Sequence, residues 1–187
     1  MRNHLSQVIT LLLDFGCAYD SSNNMEESCY HRAAKHGYFD FFKSMLNSGV
    51  ELTTSLDKEQ NSLLHLIVKY SPQRYIDLLP YFEREAKNID KLCLMAKLEN
   101  NLKQTPLTLA LVTYQSLKKE EQSKEVIVFL VDRLQSDLKE SFIVDNEKKE
   151  TCVDFAAKYC THEIHDFLKT RSSLDKKDLA LESSKQN

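Results

Sequence analysis

Few side chains in this 187-residue chain are spaced in a way that could do chemistry. Cys160, His162 and His165 form a C-x-H-x-x-H run, and cysteine and histidine are both zinc ligands. On a helix the two histidines would share a face, but no neighbouring residue supplies a fourth ligand. His31 and His65 are candidate general bases by type, and both read better as structural residues. The chain has no glycine-rich phosphate loop, no G-x-S-x-G and no H-E-x-x-H, so no enzyme class has a foothold. The sequence therefore predicts no catalytic residues, no cofactor and no metal.

Composition narrows the remaining classes. Hydrophobic residues make up 42% of the chain and charged ones 28%, which fits one or two globular units. The net charge is −3 and the pI about 6.1, so there is no electrostatic case for binding nucleic acid. Apolar runs are far shorter than the roughly 20 residues needed to span a bilayer, and the N-terminal apolar run is too interrupted for a signal peptide. The five cysteines (Cys17, Cys29, Cys93, Cys152, Cys160) are odd in number and lack CxxC spacing. They read as reduced thiols, and the expected location is cytoplasmic.

The elements that would position these residues recur along the chain. Ser28-Cys29-Tyr30-His31 leads to the small pair Ala33-Ala34, then Gly37, then the apolar residues Phe41, Phe42, Met45 and Leu46, and closes on Gly49. Ser62, Leu64 and His65 lie in the same register, with Ile67-Val68 at the small pair. Thr105, Pro106 and Leu107 do so again, with Thr108 in place of histidine and Ala110-Leu111. Thr151 and Val153 follow, with Asp154 in place of histidine and Ala156-Ala157. Successive anchors are 34, 43 and 46 residues apart. Five residues before each anchor stands Asn23, Asp57, Asn100 or Asn146, types whose side chains bond a turning backbone. A half-unit precedes them: Val8, Ile9, Leu12, Leu13 and Gly16 overlay Phe41 to Gly49 at a step of 33.

This register resembles the ankyrin repeat, whose period is about 33 residues and whose core signature is T-P-L-H-x-A-A. The resemblance implies an all-α repeat fold, an ankyrin solenoid of about four helix-turn-helix repeats with hairpin-like turns. The array spans 1–170: a half-repeat at 4–20, then repeats at 23–52, 57–87, 100–135 and 146–170. A polar tail, 171–187, follows. It also implies structural anchors at Ser28, His31, Ser62, His65, Thr105, Pro106 and Thr151. Hydroxyls cap helix starts, and the histidines bond between neighbouring turns. The second helices present Ile76, Leu78, Leu79 and Phe82 in the second repeat, Glu125 to Leu134 in the third, and Ile164, Phe167 and Leu168 in the fourth.

Departures from the pattern set further expectations. The hairpin glycine is replaced by Glu26, Gln60, Lys103 and Lys149, so relaxed hairpins are expected. Pro80 should kink or end the second outer helix. Two insertions lengthen the array. Residues 83–97 have helical spacing and should form an extra helix, and residues 115–124 should extend a helix or form a loop.

The resemblance implies a non-catalytic module that binds a protein partner through its concave inner-helix face and hairpin tips. Stacking lines up Lys35, Lys69 and Lys158 beside His36, Tyr70, Thr113 and Tyr159, with Tyr38 and Tyr114 adjacent. Such a column would suit an acidic partner surface, although ordinary solvated positions would read the same way. An inhibitor resembling the IκB family, or a pathogen or viral effector working in host cytosol, would act by steric occupancy. The alternatives are a piece of a larger ankyrin-containing enzyme or scaffold, and a metal enzyme built on Cys160.

Overall fold

A computed structural model describes residues 21–70, 86–116, 121–132, 141–144 and 148–185, together with residues 8, 11–12 and 14–19. Residues 4–7, 9, 10, 13 and 20 of the expected half-repeat lie outside the described residues. So do Ile76, Leu78, Leu79, Pro80, Phe82, Leu134 and Asn146.

The array is built from one repeated turn. Asn23 Oδ1 accepts the backbone N–H of Met25 (2.9 Å) and of Glu27 (3.0 Å). Asp57 Oδ1 accepts those of Glu59 (2.9 Å) and Asn61 (2.8 Å), and Asn100 Oδ1 those of Leu102 (3.0 Å) and Gln104 (3.1 Å). Backbone bonds close each turn: Glu26 N–H donates to Asn23 O, Gln60 N–H to Asp57 O, and Lys103 N–H to Asn100 O, all at 2.8–2.9 Å. The turns also join one another, since Lys58 N–H donates to Met25 O and Asn101 N–H to Glu59 O, each at 3.0 Å. Asn100 Nδ2 donates to Asn61 Oδ1 between the second and third turns.

The expectation of relaxed hairpins fails at three positions of four. Glu26, Gln60 and Lys103 sit at φ 59°, 60° and 58°, the left-handed region that glycine would occupy without strain. The bonds around each turn outweigh a Cβ penalty of roughly 1–2 kcal/mol. The fourth hairpin is different: β1 (Ser141–Val144) and β2 (Lys148–Thr151) form an antiparallel ribbon in which Lys149 pairs with Ile143.

Each turn delivers the chain to a helix start. The inner helices are α1 (Cys29–His36), α3 (Leu63–Tyr70), α5 (Pro106–Ser116) and α7 (Cys152–Tyr159). Ser28 and Thr151 are N-caps with reciprocal boxes, closed by His31 and Asp154 instead of the usual Glu or Gln. Thr105 Oγ1 takes the Thr108 N–H. At Ser62 the backbone N–H donates to His65 Nδ1 (3.1 Å), and the hydroxyl lies 2.8 Å from the same nitrogen. Nδ1 is therefore the lone-pair nitrogen and Nε2 carries the proton. That Nε2–H donates to Gln104 O at 2.9 Å, tying the second repeat to the third turn. His31 makes the same bonds to Ser28 (3.1 and 2.8 Å), but its buried Nε2 has no hydrogen-bond partner.

Inner helices stack in order, α1 on α3, α3 on α5 and α5 on α7. The outer helices α2 (Phe39–Asn47), α6 (Glu121–Asp132) and α8 (His162–Lys185) pack on the inner helix of their own repeat. Small residues let the stack close: Ala33, Ala34, Ala110 and Ala156 are buried. Phe42, Met45, Ile127, Leu130, Ile164 and Leu168 fill the seam between the layers. Gly37 ends α1 at φ 70°, where Tyr38 N–H donates back to Ala33 O.

The first insertion forms α4 (Ala86–Ala96), which buries Leu92, Met95 and Ala96 beside α3 and α5. Lys91 Nζ ties it to Glu51 and to the Leu52 carbonyl, each at 2.9 Å. Its role is to fill the space between repeats. In the second insertion Gln115 and Ser116 end α5, and Glu121 to Lys124 open α6. Helix α8 continues through the stretch expected to be a separate tail, because no glycine or proline stops it before Lys185. Among the described residues, no helix is long and apolar enough to cross a membrane.

Two predictions follow from these turns and caps. Glu26→Gly, Gln60→Gly and Lys103→Gly should each raise the unfolding free energy by about 0.5–1 kcal/mol after the added unfolded-chain entropy, read as a higher urea midpoint at constant m. Lys149→Gly, in a paired strand, should lower it. The second concerns acid. Burial pushes His65 down to about 4 and lowers His31 as well. The unfolded chain then binds more protons than the native one between about pH 6.5 and 4, so stability is complete above that window and falls as pH drops through it. His65 alone contributes on the order of 3 kcal/mol to this loss. His65→Gln, which keeps an N–H donor but does not titrate, should flatten the loss seen in urea titrations between pH 7 and 4.

Candidate functional site

The inner helices end in the column singled out by sequence, and the structure treats its members unequally. Lys35, His36, Lys69, Tyr70 and Lys158 are exposed, while Val112, Thr113 and Tyr159 are half-buried. Tyr38 is 64% exposed and stacks on His36 with ring centroids 5.7 Å apart. Tyr159 packs against Phe155 at 4.8 Å. Tyr114 turns inward: it is 2% exposed and its hydroxyl lies 3.2 Å from Thr161 Oγ1, so it binds two repeats together beneath the surface.

Electrostatics separate the lysines further. Lys35 Nζ bonds Glu27 Oε1 at 3.0 Å, and Lys158 Nζ bonds Glu150 Oε1. Both glutamates are 7% exposed and stand one residue before their anchors, eight before the lysine. The bond to Glu27 raises the Lys35 pKa, and the bond to Glu150 raises that of Lys158. The Glu27 carboxyl is held below its ordinary value, first by the hydrogen bond from Asn23 Nδ2 and then by Lys35. Lys69 has no ion pair among the described residues; its ammonium rests 5.3 Å from the Tyr70 ring centroid.

Sequence reasoning missed Glu27 and Glu150. An eight-residue separation is not a helical spacing, and it becomes a contact only because the turn folds back over the helix it caps. It also missed that two hairpin tips end in exposed apolar side chains, Met25 and Leu102, the latter 71% exposed. Both follow the turn-forming Asn by two residues, so the register could have found them.

The anchors Ser28, His31, Ser62, His65, Thr105 and Pro106 are all buried, and Thr151 is half-buried. Cys160, His162 and His165 do not gather into a cluster. Among the described residues, no group of three or more His, Cys, Asp or Glu could hold a metal, and His165 Nδ1 instead lies 3.5 Å from Asp166 Oδ1.

No protein-family model matches the chain, and no curated protein does. Among solved structures it is similar to an ankyrin repeat domain from Acinetobacter baumannii AYE. The two share 16% identity over 91% of this chain and 78% of that one, with a TM-score of 0.63. At that identity the likeness establishes the fold, which is that of an ankyrin repeat domain.

Proposed function

We propose that this chain is a non-catalytic protein-interaction module, whose partner lies across the concave inner-helix face and the hairpin tips. The observation that carries the reading is the set of exposed side chains on a rigid, self-bonded frame. Tyr70, His36 and Tyr38 line the helix ends, and Met25 and Leu102 stand at the tips. Aromatic and long apolar side chains bury large area on docking at low entropic cost. The face works by steric occupancy, covering a partner surface that another molecule would otherwise use. That mode belongs to an inhibitor or effector acting in cytosol, the way an inhibitor of the IκB family acts. Nothing in this role needs a cofactor, nucleic acid or a membrane.

A second reading is favoured by Leu11, Leu12 and Phe15, apolar side chains exposed on the N-terminal side of the array. In it, these residues form the interaction part of a larger enzyme or scaffold whose activity lies elsewhere.

Affinity capture from cytosolic extract, compared across variants, tests the first reading. Proteins retained by the wild type should be lost with Tyr70→Ala and Leu102→Ser and kept with Lys169→Ala on the exposed surface of α8. Equal retention by all three variants would place binding elsewhere and overturn it.

A further inference from the structure

We infer that Lys69 is the cation this face leaves for its partner, and that the bound segment sets an aspartate or glutamate side chain against it beside an apolar residue laid on the Tyr70 ring. This rests on the interaction reading above and narrows it from a basic stripe to one position.

The column of three lysines suggests a stripe, but the buried glutamates remove two of them from it. Glu27 pairs with Lys35, and Glu150 with Lys158, each within its own repeat. In the second repeat the matching position is Asn61, and its side chain is fully engaged in the turns. Its Nδ2 donates to Asp57 Oδ2 (3.2 Å) and to Glu59 Oε2 (3.1 Å), and its Oδ1 accepts from Asn100 Nδ2 (3.1 Å). Among the described residues no carboxylate returns to Lys69. The third repeat carries Gln104 and Val112 at the two positions, so neither charge occurs there. The middle of the face thus presents one ammonium without an ion pair among the described residues, poised beside a ring that is 41% exposed.

Docking turns this arrangement into a requirement. In water Lys69 is solvated and costs nothing. A partner that covers Tyr70 also strips water from the ammonium next to it, and a buried unpaired charge is strongly unfavourable. The covering surface must therefore return an acceptor, and a carboxylate is the one that neutralises it. Contact with the Tyr70 ring already restrains the lysine, so little rotamer freedom remains to be lost on binding.

Selection of a phage-displayed random dodecapeptide library on the whole chain tests this. Peptides whose binding depends on Tyr70 should be enriched in Asp or Glu. They should lose about tenfold or more in affinity for Lys69→Glu and bind Lys35→Gln and Lys158→Gln, checked for folding by circular dichroism, within about twofold of wild type. Replacing the selected acid by lysine should restore binding to Lys69→Glu. Tyr70-dependent peptides that lack an acid, or that bind Lys69→Glu as well as wild type, would overturn the inference and leave the interaction face standing. A selection that returns no Tyr70-dependent peptide would overturn the face itself.

Discussion

The side-chain oxygens of Asn23, Asp57 and Asn100 each take two backbone N–H bonds, and those bonds decide where the rest of each repeat can go. With its ends held this way, the turn forces its fourth residue into left-handed backbone, whatever that residue is. The anchor hydroxyl then meets the first free amides of the inner helix. In the second repeat His65, three residues on, is aimed at the next turn. The stacked helices bury Ala33, Ala34, Ala110 and Ala156 where they touch, with Ile67 and Val68 at the matching positions of the second repeat. A repeat array is stable because each unit buries its face on its neighbours. Here the contact is partly polar, through Lys58 to Met25, Asn101 to Glu59, and His65 to Gln104.

Most of this framework was legible in the sequence because its causes are local. A turn-forming Asn or Asp, a capping hydroxyl and an apolar helix face can each be read within about ten residues. Two things were not local. The left-handed Glu26, Gln60 and Lys103 were expected to relax, since the strain is visible in the residue type and the opposing bonds are not. The Glu27–Lys35 and Glu150–Lys158 pairs join residues on different elements, so periodicity along one helix does not show them. Tyr114 was placed on the surface by its position beside the column, yet its ring faces Thr161 of the next repeat. Helix α8 ran on past Thr170 because polarity alone does not end a helix.

The same framework limits what the proposed interaction face can be. Hairpins bonded to one another hold Met25 and Leu102 in place, so a partner docking on them as proposed would have little to order. The column beneath is less basic than its lysine content suggests, because two of its charges are answered from within. Fold and specificity are therefore written in different residues. Asn, Ser, His and Ala at fixed intervals make the scaffold, and the side chains that vary between repeats, Asn61 against Glu27 and Glu150, set its surface.

Native-state hydrogen exchange at the amides of Glu27, Asn61 and Gln104 tests this account most directly. These are the N–H groups that close each turn onto Asn23, Asp57 and Asn100. If the turns organise the array, all three exchange together and about a thousandfold more slowly than the amide of Thr54 in the exposed loop after Leu52, since they open only when the repeats separate. Exchange of all three at the rate of Thr54 would contradict it.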